Sequence, residues 1–427
     1  MSDQTRARVA IPYGDGAIEV DIPRRNLLAV LSPNPVAPAS DPRAEIVRAL
    51  AEPIAATPLR EAAKGARQVA ILADDLTRQT PVQLIIPALL DELGRAGVRD
   101  EQVTVVIALG THRPMTEEEI ELRFGAGVTG RVRVINNPWW DLEQLADLGV
   151  TPNGTPIVVS RLVLEADFVI GLGSIVPHHI PGYSAGAKIV QPGVSGAATT
   201  GATHYFSTRT RRSYLGEVEN PVRHEMERIA DQVGLSAILN TVLDSAGRVV
   251  QTFYGDHRAA FRAGVAVSRE VYGIALADQT DIVIAGSHPC DIEFWQAHKA
   301  LYPADIAVRE GGTVIVMTPC PEGVSVTHQE MLRFTGLPSR KIETLIERGT
   351  IADVVSGGLA LAWAKIRERE RVSLVSGGIS GEEARALGFT LFPSADEALA
   401  EALRRHGPDA TVTVMTHAPE LLPILAR

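Results

Sequence analysis

Gln68-Val69-Ala70-Ile71-Leu72-Ala73, then Asp74-Asp75-Leu76-Thr77-Arg78-Gln79-Thr80-Pro81, then the amphipathic stretch from Val82 to Arg95, is the run whose reading decides the fold. Six apolar residues rich in β-branched side chains make a buried strand. The polar cluster closed by Pro81 makes a turn, and the stretch after it carries the helical period. The same unit recurs outward in both directions. Strands are predicted at Val103–Ala108, Val132–Ile135, Pro156–Val159 and Phe168–Gly171, with a helix starting at Thr116, whose side chain and Glu119 fit a capping box. A second series runs through Asp281–Ala285, Gly312–Met317, Arg371–Val375 and Ala410–Met415, with a helix from Asp396 to Arg405. Alternation of this kind predicts α/β architecture: two doubly wound, mostly parallel sheets with a cleft between the domains.

The boundary is placed near residue 275, giving domains 1–274 and 275–427, each with its own core and with the last segment returning to the first domain. Arg8–Pro12 and Ala17–Asp21 flank Gly14-Asp15-Gly16 and read as a β-hairpin covering a larger body. The stretch from Gly182 to Thr208 is dense in Gly, Ser, Thr and Ala, and reads as a long binding loop.

A net charge of −10 over 427 residues leaves no excess of cations to hold nucleic acid or an anionic membrane. The first residues lack the apolar core of a signal peptide, and no segment offers the roughly 20 apolar residues that span a bilayer, so a cytoplasmic protein is expected. Two cysteines, Cys290 and Cys320, make neither a disulfide framework nor a zinc site, and are expected as buried thiols.

In open α/β sheets ligands sit beyond the carboxyl ends of the strands. Three predicted strands end in Asp74-Asp75-Leu76-Thr77-Arg78, Gly110-Thr111-His112-Arg113-Pro114 and Gly173-Ser174-Ile175-Val176-Pro177-His178-His179. Asp74 or Asp75 reads as a helix cap or a site carboxylate, and His112 as a turn residue or a base. The adjacent pair His178-His179 is costly to bury without a role. Lys188, in Gly186-Ala187-Lys188-Ile189, is either a solvated charge or an amine for covalent or phosphate work, and its loop lacks the Walker spacing. Gln296 and Lys299 share a helix face beside Trp295; they would hold a carboxylate or simply meet solvent.

Together with Pro177-His178, Thr200-Gly201-Ala202-Thr203-His204 and Gln296-Ala297-His298-Lys299, these motifs resemble the lactate racemase family of nickel-pincer enzymes. The resemblance implies a racemase or epimerase of a 2-hydroxy acid. Its cofactor would be nickel in a pyridinium-3-thioamide-5-thiocarboxylic acid mononucleotide, supplied by cofactor-biosynthesis enzymes. It implies that Lys188 is the covalent tether, His204 the nickel ligand, and His112 and His178 the paired acid/base residues. Arg78, Gln296 and Lys299 would hold the substrate carboxylate, with Trp295 and Tyr183 as further substrate contacts. Asp75, Thr77 and Ser174 would contact the cofactor. Gln79 departs from the proline common in the family, Gly357-Gly358 would leave room for a larger substrate, and His298 is a candidate specificity contact. Two other readings stand beside this one: a zinc hydrolase built on His112, His178, His179 and His204, and a non-catalytic nucleotide-binding module.

Overall fold

The computed structural model describes residues 5–426. Strands β1 (Arg6–Tyr13) and β2 (Gly16–Pro23) form the expected hairpin, followed by β3 (Leu27–Leu31). Next come β4 (Val69–Asp74), helix α1 (Val82–Arg95), β5 (Val103–Ala108), α2 (Glu117–Phe124) and β6 (Arg133–Asn136). The capping box at Thr116 is present, its Oγ1 accepting from the Glu119 amide at 3.2 Å.

A hairpin of β7 (Leu145–Val150) and β8 (Pro156–Ser160) stands outside the main sheet, where Pro156–Val159 was expected to lie. Its Val159 bridges Ser195 and so props the glycine-rich segment. After β9 (Phe168–Ser174) come α3 (Ala197–Ser207), α4 (Pro221–Val233), β10 (Leu235–Leu243) and β11 (Val249–Gly255). The first sheet has the order β11-β10-β9-β4-β5-β6, parallel except for the β10–β11 pair.

The second half contains β12 (Gly273–Leu276), β13 (Thr280–Gly286), β14 (Val308–Met317), α5 (Val354–Arg369), β15 (Arg371–Val375), β16 (Thr390–Phe392), β17 (Val412–Met415) and β18 (Leu422–Leu425). Its sheet, β16-β15-β14-β13-β17-β3, is parallel throughout. β3 therefore belongs to the second sheet. The β1–β2 hairpin packs there too, through Val9, Ile11, Val20 and Ile22 against Ile282, Ile284 and Ile315. The segment assigned by sequence to residues 1–274 is thus divided: the hairpin of β1 and β2 covers the outer face of the other sheet and β3 extends its edge. The final strand β18 pairs with β12, at the junction of the two halves.

One continuous core joins the inner faces of both sheets, running through Leu72, Val106 and Val169 to Val283, Val314 and Leu374. Each sheet also has a core of its own on its outer face, through Ile71, Ile86 and Val105 in the first and Ile284, Ile315 and Leu399 in the second. Among the described residues no helix is long and apolar enough to cross a membrane.

Candidate functional site

A cavity of about 900 Å³, counting its mouth, lies where the carboxyl ends of β4, β5 and β9 meet residues of the second half. β4 lies between β5 and β9, so the chain leaves it in both directions and the loops splay apart; that is where an open parallel sheet makes a crevice. Asp75, Arg78, His112, Ser174, His178, Lys188, His204, Trp295, Gln296, His298 and Lys299 all line it.

The loops after adjacent β4 and β5 bring Asp75 to His112. The His112 Nδ1–H donates to the Asp75 carboxylate at 2.6 Å, leaving Nε2 as an acceptor that takes the Gln296 amide at 2.9 Å. Burial pushes the His112 pKa below the usual histidine value, with Asp75 opposing that shift, so the ring is neutral with its Nε2 lone pair on the cavity side, turned to the Gln296 amide. Asp75 itself is driven far below the usual carboxylate range: His112, Arg78 and Thr77 outweigh the cost of its burial. Thr77 donates to Asp75 and accepts from Arg78 Nη1 at 2.6 Å. Asp75 and Thr77, expected against the cofactor, are therefore engaged in holding His112 and Arg78, and Thr77 does not line this cavity. Ser174 lines it while hydrogen-bonded to Thr80 and Thr241.

His178 is held differently. Its Nδ1 accepts the Ile180 amide at 3.2 Å, which places the ring proton on Nε2. Its ring stacks on His179 at 4.6 Å, and His179 stacks on Tyr302 at 3.9 Å. Burial and then Lys188 push its pKa well below the usual value. The adjacent histidines thus answer the cost of burial by stacking.

The glycine-rich segment is not a solvent loop. Nearly all of 181–196 is buried, and Ala197–Ser207 is helix α3. Its small residues, expected in a binding loop, here permit close packing: Gly186 has φ +58, and a Cβ there would meet the Phe261 ring at 2.9 Å. Arg223 of α4, fully buried over the Phe261 ring, donates to the carbonyls of Tyr183 and Ala185 and fixes the backbone ahead of Lys188. Sequence reasoning missed Arg223, which looks like any arginine of an amphipathic helix.

The Lys188 side-chain amine lines the cavity and has no hydrogen-bonding or ion-pairing partner among the described residues. Burial, then Arg78 and Lys299, hold its pKa well below the usual lysine value, which favours the nucleophilic amine over the ammonium. His204 donates Nδ1–H to the Thr200 carbonyl at 2.8 Å, so Nε2 keeps its lone pair; burial lowers its pKa to about 4. Gly358 of α5 lies against α3 so closely that a Cβ would stand 2.9 Å from the His204 backbone, while one on Gly357 would meet Ile346 and Ile351. These glycines serve helix packing behind His204, which corrects the expectation that they open space for substrate.

On the facing side, Gln296 Oε1 accepts from Arg78 Nη1 at 3.2 Å and from the Lys299 ammonium. Burial lowers Lys299 to about 8. Trp295 stacks on His328 at 4.0 Å, and His328 bridges the halves, bonding Thr111 Oγ1 at 3.0 Å and Asp353 at 2.7 Å. Tyr183 is fully buried in the core and does not line the cavity, which corrects its expected substrate role. Cys320 is buried as expected, but Cys290 is only partly so.

Among the described residues no three His, Cys, Asp or Glu side chains converge as metal ligands, so the zinc hydrolase lacks its ligand set. A metal at His204 needs donors carried by a bound organic group. The partnerless Lys188 amine, the His204 imidazole with its free Nε2 and the cations Arg78 and Lys299 line one cavity and fit such a group.

Models of the lactate racemase N-terminal domain and C-terminal domain match residues 13–216 and 276–419. The chain is 28% identical over 389 residues to a lactate racemase of Lactiplantibacillus plantarum, covering 90% of each. It is 29% identical over 324 residues to one of Thermoanaerobacterium thermosaccharolyticum, covering 74% of this chain and 75% of the relative. The lactate racemase apoprotein structure from the latter organism superposes with a TM-score of 0.86 at 25% identity, covering 98% of this chain and all of that one. A Thermotoga maritima protein shares the fold, with a TM-score of 0.71 at 20% identity over 91% of this chain and 99% of that one.

Proposed function

Because this chain belongs to the lactate racemase family, and so is an isomerase, we propose that it interconverts the two configurations of a 2-hydroxy acid in this cavity. The observation that carries the reading is the convergence of His112, His178, Lys188, His204 and the Arg78–Gln296–Lys299 cluster on one space. Lys188 would hold the nickel-pincer pyridinium mononucleotide as an amide-type adduct, and His204 Nε2 would complete the nickel coordination. When bound, that group supplies a reversible hydride acceptor, so the substrate passes through a planar 2-keto acid.

The protein's part is positioning and proton transfer. Arg78 and Lys299 bind the carboxylate, with Gln296 fixing both cations, so the planar species stays held while its carbonyl face turns. His112 Nε2 takes the hydroxyl proton, and Asp75 stabilises the imidazolium that results. From the other side, His178 can act as a base only after its Nδ1 exchanges the Ile180 amide for a proton. The Arg113 guanidinium, bonded to Glu119 at 2.7 Å and to Glu322 at 2.6 Å, ties the His112 loop to the second half.

Protein co-produced with the cofactor-building enzymes should carry a mass adduct on Lys188 and stoichiometric nickel, and should racemise members of a chiral 2-hydroxy acid panel. In deuterated water the product should carry no solvent deuterium at C2. Incorporation there would replace hydride transfer by direct Cα deprotonation, and absence of both adduct and nickel would overturn the covalent cofactor.

A further inference from the structure

Beside the main cavity lies a second chamber of about 500 Å³, counting its opening. The two share Arg78, Ser174, His178 and Lys299 as a common wall, so a carboxylate held by Arg78 and Lys299 stands at the junction. The rest of the chamber is walled largely by Val176, Leu243, Pro289 and Pro419. Thr77, Gln79 and Ser184 add polar groups, and Glu420 is the carboxyl among the lining residues. That side chain is 7% exposed and lines the chamber, yet it has no hydrogen-bonding or ion-pairing partner among the described residues. A buried carboxyl left without a partner is costly, and a site that keeps one fits a ligand that supplies the bond.

We propose that this chamber receives the side chain of a 2-hydroxy acid longer than lactate, and that Glu420 hydrogen-bonds a hydroxyl at the end of that side chain. The inference rests on the 2-hydroxy acid reading above and names the substrate class within it. The apolar walls suit three or four methylenes. The cations Arg78 and Lys299 at the junction turn away an ammonium, and Glu420 turns away a second carboxylate, which leaves a neutral hydroxyl as the fitting terminus. Burial pushes the Glu420 pKa up to about 7, so near neutrality the carboxyl can donate as well as accept.

Two acids of equal chain length test this: 2,5-dihydroxypentanoate, ending in oxygen, and 2-hydroxyhexanoate, ending in methyl. Calorimetric titration of the loaded enzyme should show the first bound at least about tenfold tighter, the usual penalty for leaving a buried polar group unpaired. Glu420→Leu should reverse that order, Glu420→Gln should keep it, and lactate affinity should stay within about twofold in all three proteins. Leu243→Phe, filling the chamber from another wall, should weaken both longer acids and spare lactate. An unchanged order in Glu420→Leu, or equal loss for all three acids, overturns the proposal. So does a fall in adduct or nickel content in Glu420→Leu, which would give the chamber to the cofactor. If the preference appears in binding but no acid is racemised, the racemase reading fails and the chamber stands; if lactate is racemised without the preference, the chamber fails alone.

Discussion

His112 and His178 face one cavity with the same side chain and opposite supports. His112 is gripped through Nδ1 by a buried carboxylate, which presents an unprotonated Nε2, accepting the Gln296 amide, to the cavity. His178 is gripped through Nδ1 by a backbone amide, which presents an N–H, and its ring is steadied by a stack of His179 and Tyr302. The difference shows that a reaction symmetric in its outcome is served by an asymmetric resting site. One ring is already a base, and the other must change its hydrogen bond before it becomes one.

The largest effect expected comes from removing either ring. His112→Gln and His178→Gln should each lower racemisation about 10²–10⁴-fold, the range of a lost acid/base group. In a single turnover of loaded enzyme, each variant should still form 2-keto acid from the enantiomer served by the remaining histidine. Keto acid formed equally from both enantiomers by either variant would erase the distinction between the rings.

Next in size is Asp75→Asn, expected to cost on the order of 10²-fold and to act on the pH profile. The carboxylate raises a His112 pKa that burial lowers. Neutral His112 is the active form, so loss of the carboxylate should move the acid limb of kcat/KM to lower pH. A limb that stays in place would assign it to another group.

Tyr302→Leu removes the stack behind His179 and should slow only the half-reaction served by His178, by a few-fold, as single-turnover rates from the two enantiomers would show. Smallest is Arg113→Leu. Its ion pairs with Glu119 and Glu322 are partly exposed, and such pairs contribute up to about 1 kcal/mol. A few-fold rise in KM with kcat unchanged would be the expected sign of a loosened His112 loop.

The repeating units were legible because local pattern determines them: Val82–Arg95 and Val103–Ala108 stand where the periodicity put them. The gathering of polar residues at strand ends was legible for a topological reason, since parallel neighbours bring their following loops together. The pairing of Asp75 with His112 follows from the adjacency of β4 and β5, yet 37 residues separate the two and no short motif joins them. What stayed hidden depends on distant packing. Leu27–Leu31 carries no mark of which sheet it will join. Gly358 looks like a gap in a pocket, and only its approach to His204 reveals a helix contact. Tyr183 sits in a segment full of site residues but points into the core.

The position of β3 bears on how the chain is made. Its sheet partner is β17, so residues 27–31 pair with 412–415, the far end of the polypeptide. All six strands of the first sheet lie at or before Gly255, so their pairing can form while synthesis continues. At a translation speed of about 5–20 residues per second, β3 waits roughly 20–80 s for its partner. Through that interval the strand and the hairpin before it are an unmatched edge on the ribosome, which makes residues 6–31 the place where a chaperone, or a neighbouring nascent chain, would first take hold.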